Sequence, residues 1–206
     1  MKTQVYKIFD TSPNTKLLEK VAQTLSQGGL VIYPTDTVYA IGCLMNNPTG
    51  LKKFAKVKNI KPEKARFSFF FQDFSQLSEY VPPIDTPRFK ILKNHLPGPY
   101  TFILNAGNKV PKPFDRRKTI GIRISDHSVL KLLLPFLDAP LVTSSIHDDD
   151  TILDYTTDPE VIFENWQGKV DVLIDSGYGG NTPSTVIDLT TSSPEILRKG
   201  KGKVEL

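Results

Sequence analysis

Proline and glycine punctuate this chain throughout, and that punctuation is the strongest constraint on what it can fold into. Sixteen prolines and thirteen glycines spread over 206 residues imply many short elements separated by defined turns, not a few long helices. Thirty-nine per cent of residues are hydrophobic and 23% charged, the balance of a globular chain with a real core, not a disordered tail or fibrous repeat. The length points to a single domain over 1–206. One cysteine, Cys43, excludes an intrachain disulfide framework and a cysteine-based zinc site. Its apolar context reads as a buried, inert thiol. The N-terminal segment MKTQVYKIFD lacks a signal-peptide core, and no apolar run approaches the roughly eighteen residues that span a bilayer. The expectation is a cytoplasmic protein with no membrane partner.

Hydrophobic periodicity orders the elements. Ser12-Pro13 opens a helix carrying Leu17, Leu18, Val21, Ala22 and Leu25 up to Gly28-Gly29, and Leu30 to Tyr33 follows as a strand stopped by Pro34. Further helices are expected from Thr49 to Lys58, from Thr86-Pro87, after Asp126 and from Asp158-Pro159. Strands are expected at Val38 to Cys43, Phe67 to Phe71, Tyr100 to Leu104, Thr119 to Ile124, Leu141 to Ser145, Val170 to Ile174, Thr185 to Leu189 and Glu195 to Arg198. Helices and strands interleave without strict alternation, so an α/β fold with an open, twisted mixed sheet and packed helices is expected, not a doubly wound parallel one. Residues 105–118 and 148–157 lack apolar periodicity and read as mobile loops.

The common signatures of catalysis are missing. There is no GxxxxGK[ST] and no GxSxG, and Gly177-Tyr178-Gly179-Gly180 reads as a turn. Three dispersed histidines do not make a zinc site, and His147-Asp148-Asp149-Asp150 reads as a solvated acidic loop. No catalytic residue and no metal ligand is assigned. What stands out is charge. Lys52, Lys53, Lys56, Lys58, Lys61, Lys64 and Arg66 oppose only Glu63 within fifteen positions. The last four fall where helical periodicity ends, and a loop dense in cations can wrap a polyphosphate. Arg123 lies inside a strand and needs a partner there, either a neighbouring carboxylate or a substrate carboxylate or phosphate held by its fork. Hydroxyls collect at strand ends, at Thr35-Asp36-Thr37, Thr143-Ser144-Ser145 and Ser184-Thr185, as local caps or as the rim of a ligand crevice.

Taken together these segments resemble the YrdC-like family, which includes threonylcarbamoyl-AMP synthases. Tyr33-Pro-Thr-Asp-Thr-Val-Tyr-Ala-Ile-Gly42 is similar to its YPTETVYGLG segment, and Pro97-Gly-Pro-Tyr-Thr101 to its PGPxT turn. Arg123-Ile-Ser-Asp-His127 resembles its RxPxH-type segment, Pro183-Ser-Thr-Val-Ile-Asp188 its PSTVxD element, and Ile196-Leu-Arg-Lys-Gly200 its closing xLRxG strand. The resemblance implies an α/β fold with a positive concave cavity. It also implies a nucleotidyltransferase-type reaction joining L-threonine, bicarbonate and ATP, with Mg2+ accompanying the nucleotide, into threonylcarbamoyl-AMP and pyrophosphate for tRNA adenosine modification. By matched positions Thr35, Arg123 and Ser184 would hold threonine, while Lys58, Thr143, Ser145 and Arg198 would face the nucleotide, with Arg66 added from the cationic loop. The alternative it implies is a non-catalytic protein of the same fold binding double-stranded RNA, tRNA or a nucleotide. Two positions depart from the synthase pattern. Ile60 stands where the second cation of a KxR pair is expected, and His147 replaces an asparagine; both resemble the YciO branch.

Overall fold

The computed structural model describes residues 2–9, 11–59, 67–146 and 157–204. The elements run β1 (Gln4–Lys7), α1 (Thr15–Ser26), β2 (Val31–Tyr33), β3 (Ala40–Leu44), α2 (Pro48–Lys58), β4 (Ser68–Phe70), α3 (Phe74–Ser78), α4 (Thr86–His95) and β5 (Tyr100–Asn105). They continue with β6 (Thr119–Arg123), α5 (Ser128–Leu133) and a 3-10 turn (Leu134–Phe136). The last are β7 (Leu141–Ser145), α6 (Pro159–Trp166), β8 (Val172–Asp175), β9 (Thr185–Asp188) and β10 (Glu195–Arg198). Among the described residues the strands form one ten-stranded sheet in the order β1-β8-β2-β3-β7-β4-β6-β5-β9-β10. Pairing is parallel at β1/β8, β2/β8, β4/β6 and β5/β9 and antiparallel elsewhere, so the sheet is mixed, as the irregular alternation of elements implies.

Side-chain alternation sorts the strand residues onto two faces. One face carries Ile32, Ile41, Cys43, Phe69, Phe102, Ile122, Val142, Leu173 and Ile187, which share a core with Leu51 and Phe54 of α2, Leu92 of α4 and Ile162 of α6. The other carries Val31, Tyr33, Ala40, Leu44, Phe70, Leu141, Val172 and Ile174, covered by Leu18, Val21 and Leu25 of α1 and Val129, Leu130 and Leu133 of α5. Beyond β4 this second face changes character. The register continues it through Ser68, Gly121 and Arg123, then Thr101 and Ile103, and then Val186 and Asp188. Ile103, Val186 and Asp188 are only partly buried, so the β6-β5-β9 part of this face is mixed in character and incompletely covered.

Local chemistry explains the helix ends. Asn47 caps α2, its Oδ1 accepting from the Thr49 and Gly50 amides at 3.1 and 3.0 Å, while its Nδ2 donates to the Ser26 carbonyl at 2.9 Å. It thereby ties the end of α1 to the start of α2. Asn47→Ala is expected to lower unfolding stability by about 1 kcal/mol, read as a shifted urea midpoint. Asn47→Asp, which retains the cap acceptor, should recover most of that shift.

Several boundaries differ from the sequence expectation. Asn14, not Ser12, caps α1 by accepting from the Leu17 amide at 3.3 Å. His127, not Asp126, caps α5 through Nδ1 to the Val129 amide at 3.3 Å. Two elements carry no sequence signal. β1 is a mostly exposed edge strand without apolar alternation, and α3 spans only five residues. Residues 105–118, expected as a mobile loop, seat Val110 and Phe114 in the first core, with the Arg117 guanidinium 4.9 Å from the Phe114 ring centre. Cys43 is fully buried and burial pushes its thiol far up, the inert state its apolar surroundings imply.

Candidate functional site

The sheet register assembles the site. Thr143 and Ser145 of β7, Arg123 of β6 and Thr101 of β5, together with Ser184 just before β9, fall by alternation on the face that α1 and α5 leave incompletely covered, and a register shift between Ile196 and Arg198 of β10 sets Arg198 opposite Val186 on that same face. Strands far apart in sequence thus bring most of the candidate residues to one side of the sheet.

Tyr33 ends β2 and reaches across β3 to donate to Thr143 Oγ1 at 2.8 Å. Gly42 lies beneath that reach: a Cβ there would sit 2.5 Å from the Tyr33 hydroxyl, so only glycine permits the crossing. Burial holds the phenol well above its ordinary range, and it stays a donor. Thr143 itself is buried.

After Tyr33 the chain makes a tight polar loop. Thr35 Oγ1 donates to the Val38 carbonyl at 2.7 Å and accepts from the Thr37 amide at 3.0 Å. With that proton committed, the 2.9 Å contact between the two threonine hydroxyls has Thr37 as donor. Asp36 points to β6, where its Oδ1 accepts from Arg123 Nη2 at 2.6 Å; the same nitrogen donates to Thr37 Oγ1 at 3.1 Å. The guanidinium also lies 4.6 Å from the Phe70 ring centre. Both members of the ion pair are buried, at 8% and 7% exposure. Burial pushes the Asp36 carboxyl up and the Arg123 guanidinium down, each opposed by the other's charge. The pairing is incomplete, because among the described residues Asp36 Oδ2 and Arg123 Nε are buried without a hydrogen-bond partner. Of the two roles open to a strand arginine, Arg123 therefore displays the ion pair, with its buried Nε–H left without a partner among the described residues.

A second group gathers at the start of β9. Ser184 Oγ lies 2.8 Å from Thr101 Oγ1 and accepts from Arg198 Nη2 at 3.3 Å, while Arg198 Nε donates to the Ser184 carbonyl at 3.2 Å. A third group lies at the end of β7, where the buried Lys58 ammonium, carried by the last residue of α2, donates to the Ser145 carbonyl at 3.0 Å. Arg66 lies outside the described residues, as do Ile60, Lys61, Lys64 and His147 to Asp150.

Lys201 has no motif or periodicity to mark it. The tail after β10 folds back, with its Lys201 amide on the Pro183 carbonyl at 2.8 Å, and the Lys201 ammonium donates to the Asp36 carbonyl at 2.6 Å. It bridges the Ser184 group and the Thr35–Thr37 loop. Asp36 and Tyr39 are further positioning residues; both lie in segments the sequence marks, but the sequence assigns neither a role. The Tyr39 hydroxyl donates to the Gly177 carbonyl at 2.8 Å and accepts from the Ser176 amide at 3.1 Å, fastening the glycine turn 177–180 to the loop.

Hydroxyls and cations dominate this inventory. Such a site can align and neutralise anions. Among the described residues, no group of three His, Cys, Asp or Glu side chains is placed to hold a metal ion, and no helix is long and apolar enough to cross a membrane.

Comparison with known proteins places the architecture. The Sua5/YciO/YrdC family model, described as telomere recombination, matches residues 23–200. An uncharacterized protein of Haemophilus influenzae is 35% identical over 202 residues, 97% of each chain. The crystal structure of E. coli YciO superposes with a TM-score of 0.89 at 33% identity, covering 98% of both chains. P. abyssi Sua5, solved in complex with L-threonine, gives a TM-score of 0.86 at 25% identity over 96% of this chain and 58% of its own.

Proposed function

The chain belongs to the Sua5/YciO/YrdC family, and from that premise we propose that it acts as a threonylcarbamoyl-AMP synthase, combining L-threonine, bicarbonate and ATP. The observation that carries this reading is Arg123, drawn onto the Thr35–Thr37 loop by Asp36 and keeping an Nε–H unpaired among the described residues. That donor suits a substrate carboxylate, and a structural neighbour, P. abyssi Sua5, was solved with L-threonine.

In this reading bicarbonate gives up an oxygen as water and the threonine amine, having lost a proton to solvent, bonds to the resulting CO2 to give a carbamate. A carbamate oxygen attacks the α-phosphorus of ATP, the bond to the β,γ-phosphates breaks, and pyrophosphate leaves. Arg123, Thr35 and Ser184 orient the amino acid. Lys58, Thr143, Ser145 and Arg198 face the nucleotide, with Arg66 added from the cationic loop, and Mg2+ arrives with the nucleotide. No general base is required of the protein; alignment of two anions and neutralisation of charge supply the acceleration. The hydroxyl-and-cation inventory supports that division of labour.

The test is pyrophosphate release from MgATP and bicarbonate with and without L-threonine, with the adenylate product followed in parallel. Release that depends on threonine, one pyrophosphate per adenylate, is the expected result. Intact ATP binding without release overturns the synthase and supports a second reading, a binding protein for double-stranded RNA, tRNA or nucleotide. Ile60 and His147 favour that second reading, since they replace a cation and an amide of the synthase pattern. RNA held by the cations of this face should bind more weakly as salt rises.

A further inference from the structure

We propose that Lys201, on the folded-back segment after β10, is an anion-binding residue of this site, taking a phosphate of the nucleotide's leaving pyrophosphate. The inference rests on the nucleotide-binding reading above and adds a residue to it.

Among the described residues, four cations have their head groups on the site: Arg123 and Lys201 on Asp36, Arg198 on Ser184 and Lys58 on the Ser145 carbonyl. Among the described residues, the carboxylates acting on Arg123 are Asp36, in direct contact with it, and Asp126, which acts on both members of that pair through space. Lys201 forms no ion pair among the described residues, and a fixed positive charge held on a sheet face by a neutral oxygen attracts an anion.

Lys201 differs from the other three in how it is held. Arg123 is buried and pinned by a carboxylate, Lys58 is buried at 4% exposure, and Arg198 grips Ser184 with two nitrogens. Lys201 is an exposed residue whose ammonium has, among the described residues, a single neutral oxygen, the Asp36 carbonyl, at 2.6 Å. An ammonium carries three donors. One fixes the head group over the loop, and the others can serve a ligand oxygen without first breaking an ion pair.

The backbone around Lys201 is firmly seated. Its amide donates to the Pro183 carbonyl, the Gly200 amide donates to Thr185 Oγ1 at 3.0 Å, and Thr185 Oγ1 donates to the Gly202 carbonyl at 2.6 Å. A seated backbone, with the head group already anchored on the Asp36 carbonyl, lowers the ordering cost that a long cationic side chain otherwise incurs on binding. The residue stands between the group assigned to the amino acid and the group assigned to the phosphates. In a chain with isoleucine at position 60, Lys201 supplies a cation from the opposite end of the sequence.

Binding of inorganic pyrophosphate, MgATP and L-threonine to the intact protein and to Lys201→Ala, Lys201→Arg and Lys201→Glu tests the assignment. Lys201→Ala should weaken pyrophosphate and MgATP by about tenfold, Lys201→Glu more strongly, and Lys201→Arg should restore most of the affinity, with L-threonine affinity constant throughout. A parallel loss of threonine affinity would show that Lys201 only props the Asp36 loop, and unchanged pyrophosphate affinity would remove it from the site; either overturns the proposal. Failure of the unsubstituted protein to bind MgATP or pyrophosphate overturns instead the nucleotide reading beneath it.

Discussion

Replacing Arg123 with alanine should both destabilise the protein and abolish binding of the amino acid. The substitution strands Asp36, whose carboxylate is buried beneath the loop and already has one oxygen unpartnered among the described residues. Breaking a buried ion pair from one side costs about 3 to 5 kcal/mol, a large part of the roughly 5 to 15 kcal/mol that holds a typical domain together. The guanidinium's contact with the Phe70 ring disappears as well. A urea titration should show a midpoint shift of that size, and calorimetry should show no heat with L-threonine. The double substitution Arg123→Ala with Asp36→Asn separates the two effects. Removing the stranded charge should recover much of the stability, whereas threonine binding should stay lost because its carboxylate has no cation. Unchanged threonine affinity in the double variant would take Arg123 out of the amino-acid site. Arg123→Lys should retain charge but lose the fork that serves Asp36 and Thr37 from one nitrogen while leaving Nε to a ligand.

The second large effect is expected at Gly180. A Cβ built there falls well under 3.0 Å from the Thr37 carbonyl oxygen, and that oxygen is backbone with no rotamer to retreat into. Gly180→Ala must therefore push the 177–180 turn off the Thr35–Thr37 loop. Overpacking of this kind costs about 1 to 3 kcal/mol. Because the displaced segments rim the site and lie outside both cores, the penalty should appear mainly in ligand affinity, a loss of roughly ten- to a hundredfold for threonine. Gly177→Ala is the matched control. Nothing lies within 4 Å of its Cβ, but its φ of +84° is unfavourable for alanine, so it should lower stability by about 1 kcal/mol and leave affinity nearly intact. Equal effects on affinity from the two substitutions would refute the steric account.

Strands with buried, apolar faces are legible from residue pattern. Leu141–Ser145 has the ends that the pattern implies, and the mixed character of the sheet follows from the irregular alternation of elements. β1 is illegible because an exposed edge strand has no apolar face to repeat. The caps at Asn14 and His127 lie two residues and one residue beyond the positions that pattern favours, since Ser, Asn, Asp and His at adjacent positions compete for the same amides. Among site residues, Thr35 and Arg123 stand out as a hydroxyl after a strand and a charge within one. Lys201 carries no such mark. Its importance arises from a fold-back that sets its ammonium on a carbonyl 165 positions away, and spacing along the chain contains no trace of that.

The strand order also bears on how the protein comes into being. β1 pairs with β8, and the loop at Thr35 to Thr37 is held by Arg123, by the 177–180 turn and finally by Lys201. Such wide sequence separations make folding slow, because long stretches of chain must be closed before any native pair rewards them. During synthesis the loop is made long before the residues that hold it, so it emerges with no partner for Asp36. Binding competence therefore arrives in the final stage of folding. On the proposed function, a ligand spanning Arg123, Ser184 and Lys201 would recognise only finished molecules, and its presence should slow unfolding more than it speeds folding.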